Sequence, residues 1–221
     1  MCEEPMIHPK LHKQFGWTAF GLLWLVAVVA GLVVVARYDN TAGVRAESRG
    51  QWPSESRLSH DASGPTLVMI AHPRCTCTRA SLAELAEVMA RVERRPRAYV
   101  VFVRPEALRA SPEASDLWQR AAGIPGVTVV RDERGREAES FGAATSGQVF
   151  LYDAGGHLLF SGGTTGSRGH AGDNAGRATL VALLKNERAP QHESPVFGCS
   201  LFAPGDRPDI HDHDGHDLHL N

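Results

Sequence analysis

The sequence predicts an α/β domain, a mixed sheet flanked by helices, preceded by one N-terminal transmembrane helix. Three observations lead there. Short apolar runs of strand length alternate with amphipathic helical patterns from Thr66 onward. The last two runs are parted only by Asp153-Ala154-Gly155-Gly156, so they form a hairpin and the sheet is not wholly parallel. An uncharged stretch, Phe15 to Ala36, comes before all of this.

Residues 1–14 form a short N-terminal tail carrying Lys10, His12 and Lys13. The segment 15–36 holds about 22 residues and spans ~33 Å as a helix, enough to cross a bilayer core. A cleaved signal peptide is the competing reading, because Val34-Val35-Ala36 offers small residues at a suitable spacing. Arg37, Arg45 and Arg49 follow the span, so positive-inside counting is ambiguous about orientation. A short tail, one span and a folded domain together form the pattern of a signal anchor. On that ground the domain is read as extracytoplasmic, or periplasmic.

Residues 37–64 are rich in small, polar and turn-forming residues and read as a tether. The folded domain is expected over 65–188. Thr66–Ala71 reads as a buried strand. After it, Leu82, Leu85, Ala86, Met89 and Val92 recur at helical spacing, with Glu84, Glu87, Arg91 and Glu93 on the opposite face. Ala98–Val103 is a second buried strand. Pro112–Ala122 reads as a helix capped by Ser111, and Val127–Val130 as a third, shorter strand ended by the turn Asp132-Glu133-Arg134-Gly135. Arg136 to Phe141 adds a helical turn. The hairpin follows, then a Gly-rich loop over Ser161–Gly172 and a last helix over Asn174–Lys185, with Asp173 as a candidate cap. Residues 189–221 form a C-terminal tail, His/Asp-rich at its end.

Composition narrows the classes of function. The 221 residues allow one domain plus appendages, or barely two domains. With 23 basic and 25 acidic residues, no basic surface points to nucleic acid. Four cysteines (Cys2, Cys75, Cys77, Cys199) are too few for a disulfide-stapled scaffold, so each needs its own explanation.

Cys75-Thr76-Cys77 sits where the first strand gives way to the first helix of the domain. Unpaired N–H groups and the helix dipole favour a thiolate there. Strand, cysteine motif, helix, strand, then hairpin and helix is similar to the thioredoxin fold, over about Pro65 to Arg188. Gly142–Asp153, the run Ser161-Gly162-Gly163 and the run Ser167–Asn174 together resemble the membrane-anchored redoxins of the RedB type. The resemblance implies disulfide chemistry with Cys75 as nucleophile, and it aligns Thr78 with the position of the usual resolving cysteine. The residues depart from the common pattern in two places. Only Thr76 separates the cysteines, and Ser146-Gly147-Gln148 stands where thioredoxins carry a cis-proline. In this fold His72–Cys77, Thr145–Gln148 and the loop Ser161–Asn174 converge, which makes His72, Gly147 and His170 neighbours of the site, His170 as a candidate base.

A disulfide between Cys75 and Cys77 closes a small, strained ring, which makes it easy to reduce. Cys199 lies about eleven residues past Arg188, a reach of ~36 Å. It could resolve a mixed disulfide, complete a metal site or stay free. Cys2 lies on the far side of the membrane segment. The reading is therefore a membrane-tethered thiol–disulfide oxidoreductase that needs no cofactor and acts on protein thiols or disulfides. The rival is a copper- or zinc-handling protein that uses the same cysteines with a nearby histidine. His211, His213, His216 and His219 are further, looser candidate ligands.

Overall fold

The computed structural model describes residues 9–44, 46–104 and 111–202, the first eight of these by backbone alone. The chain divides into two units at the junction of Asn40 and Thr41. The first contains helix α1 (Pro9–Asp39), whose stretch Trp17–Asp39 is long and apolar enough to cross a membrane.

The second unit is built on a five-stranded sheet. Its strands are β1 (Thr66–Ala71), β2 (Arg97–Arg104), β3 (Val127–Glu133), β4 (Gln148–Tyr152) and β5 (Leu158–Gly162), in the spatial order β3-β2-β1-β4-β5. The first three are parallel, with Val68 opposite Tyr99 and Val100 opposite Val129. β4 runs antiparallel to β1, with Met69 opposite Val149, and the hairpin adds β5 at the edge. This is the mixed α/β sheet that the sequence predicts. β3 is three residues longer than its apolar run, because its pairing with β2 continues to Arg104 opposite Glu133. Asp132 and Glu133 therefore belong to the strand, and the turn is Arg134-Gly135.

Side chains alternate across a strand, so an all-apolar strand makes two cores. Leu67 and Met69 face one way, packed with Leu85, Val88 and Met89 of α2 (Thr76–Arg91), Leu117 and Ala121 of α3 (Asp116–Ala122) and Leu180 of α5 (Ala175–Leu184). Val68 and Ile70 face the other way, toward Phe141 and the five-residue helix α4 (Arg136–Ser140). So short a helix cannot cover that face. The segment read as a tether completes it: Leu58 is buried, and Trp52 packs edge-on against Phe141 and Tyr152 with ring centroids 5.1 and 5.3 Å away. Hydrogen bonds hold the strap down, from Trp52 N to Gly156 O (2.8 Å) and from Ser56 Oγ to Glu137 Oε2 (2.6 Å). The 37–64 tether is thus corrected. The helix runs to Asp39, and the residues after Asn40 belong to the domain.

The C-terminal boundary is corrected in the same way. Val196 to Phe202 is not loose tail but lies along the loop before β4, with Ser146 N donating to Cys199 O (2.9 Å) and Leu201 N to Ala144 O (3.0 Å). Two helix caps also differ from expectation. Residues 112–114 form a separate 3-10 turn, and Ser115 caps α3 by accepting from Trp118 N (3.2 Å), in place of Ser111. Asn174, rather than Asp173, caps α5, its Oδ1 accepting from Arg177 N (2.8 Å). Asp173 instead pairs with the Arg177 guanidinium.

Candidate functional site

β1 ends at Ala71, at the sheet's carboxyl edge, and the chain turns through His72-Pro73-Arg74 into α2. Cys75 N donates to His72 O (3.2 Å), and Thr78 N donates to Cys75 O (3.1 Å), the first bond of the helix. Cys75 is therefore the N-cap, with extended backbone (φ −85°, ψ 116°). A cap side chain sits over the first-turn amides, where the dipole and unpaired N–H groups favour negative charge.

Burial pushes the Cys75 thiol up, but hydrogen bonds from Cys199 and Thr78 outweigh it and hold the thiol below its ordinary range. Cys199 N lies 3.4 Å from Cys75 Sγ. The other two thiols move the opposite way. Cys77 is raised by burial and by the negative charge on Cys75. Cys199 is pushed up to about 12, first by burial and then by its hydrogen bond to Cys75 and that same charge. Of the three, Cys75 is thus the one shifted toward the anion, and its two neighbours are shifted toward the protonated form. All three are free thiols.

The loop before β4 fixes this end of the sheet. Ser146 Oγ accepts from His72 N (2.8 Å) and shares a hydrogen bond with Thr78 Oγ1 (2.8 Å), tying strand end to helix start. Gly147 N donates to Ile70 O (2.8 Å) with φ at 90°, and a Cβ there would stand 2.7 Å from Ser81 Oγ. Gly147→Ala is therefore expected to destabilise the domain by about 1–3 kcal/mol, read as a lower urea midpoint at unchanged slope.

His72 is held below its ordinary pKa by burial, then by the charge of Arg74. Its Nδ1 accepts from Arg74 N (3.2 Å), which leaves a neutral ring with its proton on Nε2. His170, the candidate base, is exposed and directs Nδ1 to Arg168 O (2.7 Å), within its own loop. The loop delivers Arg168 instead. Its Nη1 donates to Gly198 O (2.6 Å), and its charge favours the anionic form of both Cys77 and Cys199. Sequence reasoning passed over Arg168, and also Ser146. The available signal was the convergence of their two loops on the cysteine edge. Among the described residues no group of three or more His, Cys, Asp or Glu side chains is disposed to hold a metal ion. Cys2 and the histidines His211, His213, His216 and His219 lie outside the described residues.

The strand order, the antiparallel hairpin and a cysteine capping the helix after the central strand decide the architecture. An uncharacterized conserved protein from Geobacillus kaustophilus superposes with a TM-score of 0.53 at 19% identity, over 73% of this chain and 92% of that one. The domain has a thioredoxin-like fold. A protein described as of the thioredoxin-like superfamily superposes at a TM-score of 0.41 and 17% identity, over 67% of this chain and 99% of its own. A secreted Mycobacterium tuberculosis disulfide oxidoreductase homologous to E. coli DsbE does so at 0.39 and 14%, over 57% and 83%. At these identities the likeness is one of fold. No protein-family model and no curated protein matches the chain. Within the thioredoxin-like domain, Cys199 arrives from a segment outside the β-α-β and hairpin core, beyond α5.

Proposed function

We propose that this protein is a thiol–disulfide oxidoreductase tethered to a membrane by α1, with its thioredoxin-like domain outside the cytoplasm and Cys75 as the nucleophile. A single observation carries the reading: Cys75 caps α2 with its sulfur held below the ordinary thiol range by bonds from Cys199 and Thr78, while both neighbouring thiols are raised. A sulfur shifted toward the thiolate, beside two that are shifted the other way, gives the site one preferred attacking group.

Cys75 thiolate attacks one sulfur of a substrate disulfide. A Cys75–substrate bond forms, the substrate's own S–S bond breaks, and the departing thiolate takes a proton. The substrates are protein thiols or disulfides on the domain's side of the bilayer, and no cofactor enters the step.

Redox titration of the full chain in detergent against glutathione tests this. The expected result is a two-electron couple with a midpoint between about −270 and −120 mV, the range of oxidoreductases of this fold. Thiols that stay reduced throughout, or that bind Cu(I) tightly and exchange no disulfide, contradict it.

A further inference from the structure

Resting on that reading, we propose that Cys199 is the resolving cysteine, so that the redox couple is Cys75–Cys199 and not the neighbouring pair Cys75–Cys77.

The geometry favours the distant partner. Cys199 N donates to Cys75 Sγ at 3.4 Å, which sets the two cysteines side by side. Three contacts hold the segment in that place. Cys199 O accepts from Ser146 N (2.9 Å), Gly198 O accepts from Arg168 Nη1 (2.6 Å), and Leu201 N donates to Ala144 O (3.0 Å). Gly198 lies so close to the loop before β4 that a Cβ there would stand 2.0 Å from Ser146 O. A cysteine merely adjacent by chance would not need a glycine before it and an arginine pinning that glycine's carbonyl.

Cys77 stands in the first turn of α2, two residues on from the Cys75 cap. Cys75 O accepts from Thr78 N (3.1 Å), the bond that begins α2, and Thr78 Oγ1 is tied to Ser146 Oγ (2.8 Å), so a Cys75–Cys77 ring has to close across a hydrogen-bonded turn, whereas a bond to Cys199 lies outside that turn.

Access points the same way. Cys75 is 1% exposed, whereas Cys199 is partly exposed. A substrate sulfur reaches Cys75 by displacing the Cys199 thiol, so the group it displaces is the one that stands ready to return.

In the mixed disulfide Cys75 no longer carries charge, which removes one of the causes that keep Cys199 protonated, while the Arg168 charge remains. Cys199 gives its proton to the first departing substrate thiolate. Its thiolate attacks Cys75 Sγ, the Cys75–Cys199 bond forms, and the Cys75–substrate bond breaks. The second substrate thiolate leaves and is protonated from water. The substrate gains two electrons and the protein loses two. An external dithiol reverses the sequence.

Peptide mapping of the oxidised full chain, in a Cys2→Ser background, decides the matter. After treatment with oxidised glutathione, blocking of free thiols with N-ethylmaleimide and tryptic digestion, the expected product joins the Cys75–Arg79 peptide to the peptide holding Cys199, with the blocking group on Cys77. Cys77→Ser should retain that bridge, and Cys199→Ser should lose it and accumulate glutathione on Cys75. A Cys75–Cys77 bridge in the unsubstituted couple, with normal resolution in Cys199→Ser, overturns the proposal. Mapping the Cys2→Ser chain needs no change at the three site thiols, because the blocked thiol left in the Cys75–Arg79 peptide tells which of its two cysteines is bridged, so a misfolded site variant cannot obscure the answer. If Cys75 forms no disulfide with any thiol, the oxidoreductase reading itself fails. If Cys75 is glutathionylated but never joins Cys199, only the assignment of the resolving residue fails.

Discussion

Cys75→Ser is expected to lower disulfide-exchange turnover by about 10⁴-fold or more, the scale on which loss of a covalent nucleophile is felt. A hydroxyl in the same cap position keeps the helix start intact, since serine is itself a favoured N-cap residue. What it lacks is an accessible anion. Cys77→Ser should be far milder, because Cys77 is raised by burial and by the Cys75 charge and stays protonated at neutral pH. Turnover of a mixed glutathione disulfide by the two variants separates them. Equal losses in both would mean that the charge is not localised on one sulfur.

The second large effect is on stability. Glu84 lies on α2 and is 2% exposed, with Oε2 2.7 Å from Nη1 of Arg177, itself 7% exposed, on α5. Its carboxylate also accepts from Gly172 N (2.6 Å) and from Asn174 Nδ2 (3.3 Å). One side chain thus anchors the loop that carries Arg168 and ties both helices together. Glu84→Ala leaves the guanidinium buried with, among the described residues, the exposed Asp173 as its remaining ion-pair partner, and is expected to cost about 3–5 kcal/mol. Replacing both partners by methionine should recover most of that loss, since no charge is then stranded in the interior. Urea unfolding of the single and double variants checks this. A single variant that costs no more than an exposed ion pair, about 1 kcal/mol, would contradict the buried pairing.

Glu84 also marks where the sequence was misleading. Helical periodicity put it with Glu87, Arg91 and Glu93 on the polar face, and a lone glutamate there looks solvated. Its partner is 93 positions away, at the start of α5, and nothing local announces a buried charge whose counter-ion comes from another element. The strands were legible because both faces are apolar, and that same fact carried an unused consequence. Two buried faces require two covers, and α4 is too short to provide the second, so Trp52 and Leu58 had to come from the supposed tether. The position of Cys75 could be read from strand, cysteine and helix in sequence. The place of Cys199 could not, because chain length sets only its reach. The backbone bonds from Ser146 and to Ala144 that fix it carry no side-chain signature.

The central claim is that Cys75 holds a thiolate when its neighbours do not. Site-resolved alkylation by iodoacetamide as a function of pH, in the reduced full chain, reads it directly. Only the thiolate reacts, so each rate falls as pH drops through that cysteine's own pKa. Cys75 should reach half its plateau below the pH of an ordinary free thiol measured alongside it, while Cys77 stays behind it and Cys199 shows no plateau short of about 12. A Cys75 profile centred at or above the ordinary value, or lying beneath that of Cys77 or Cys199, would contradict the account.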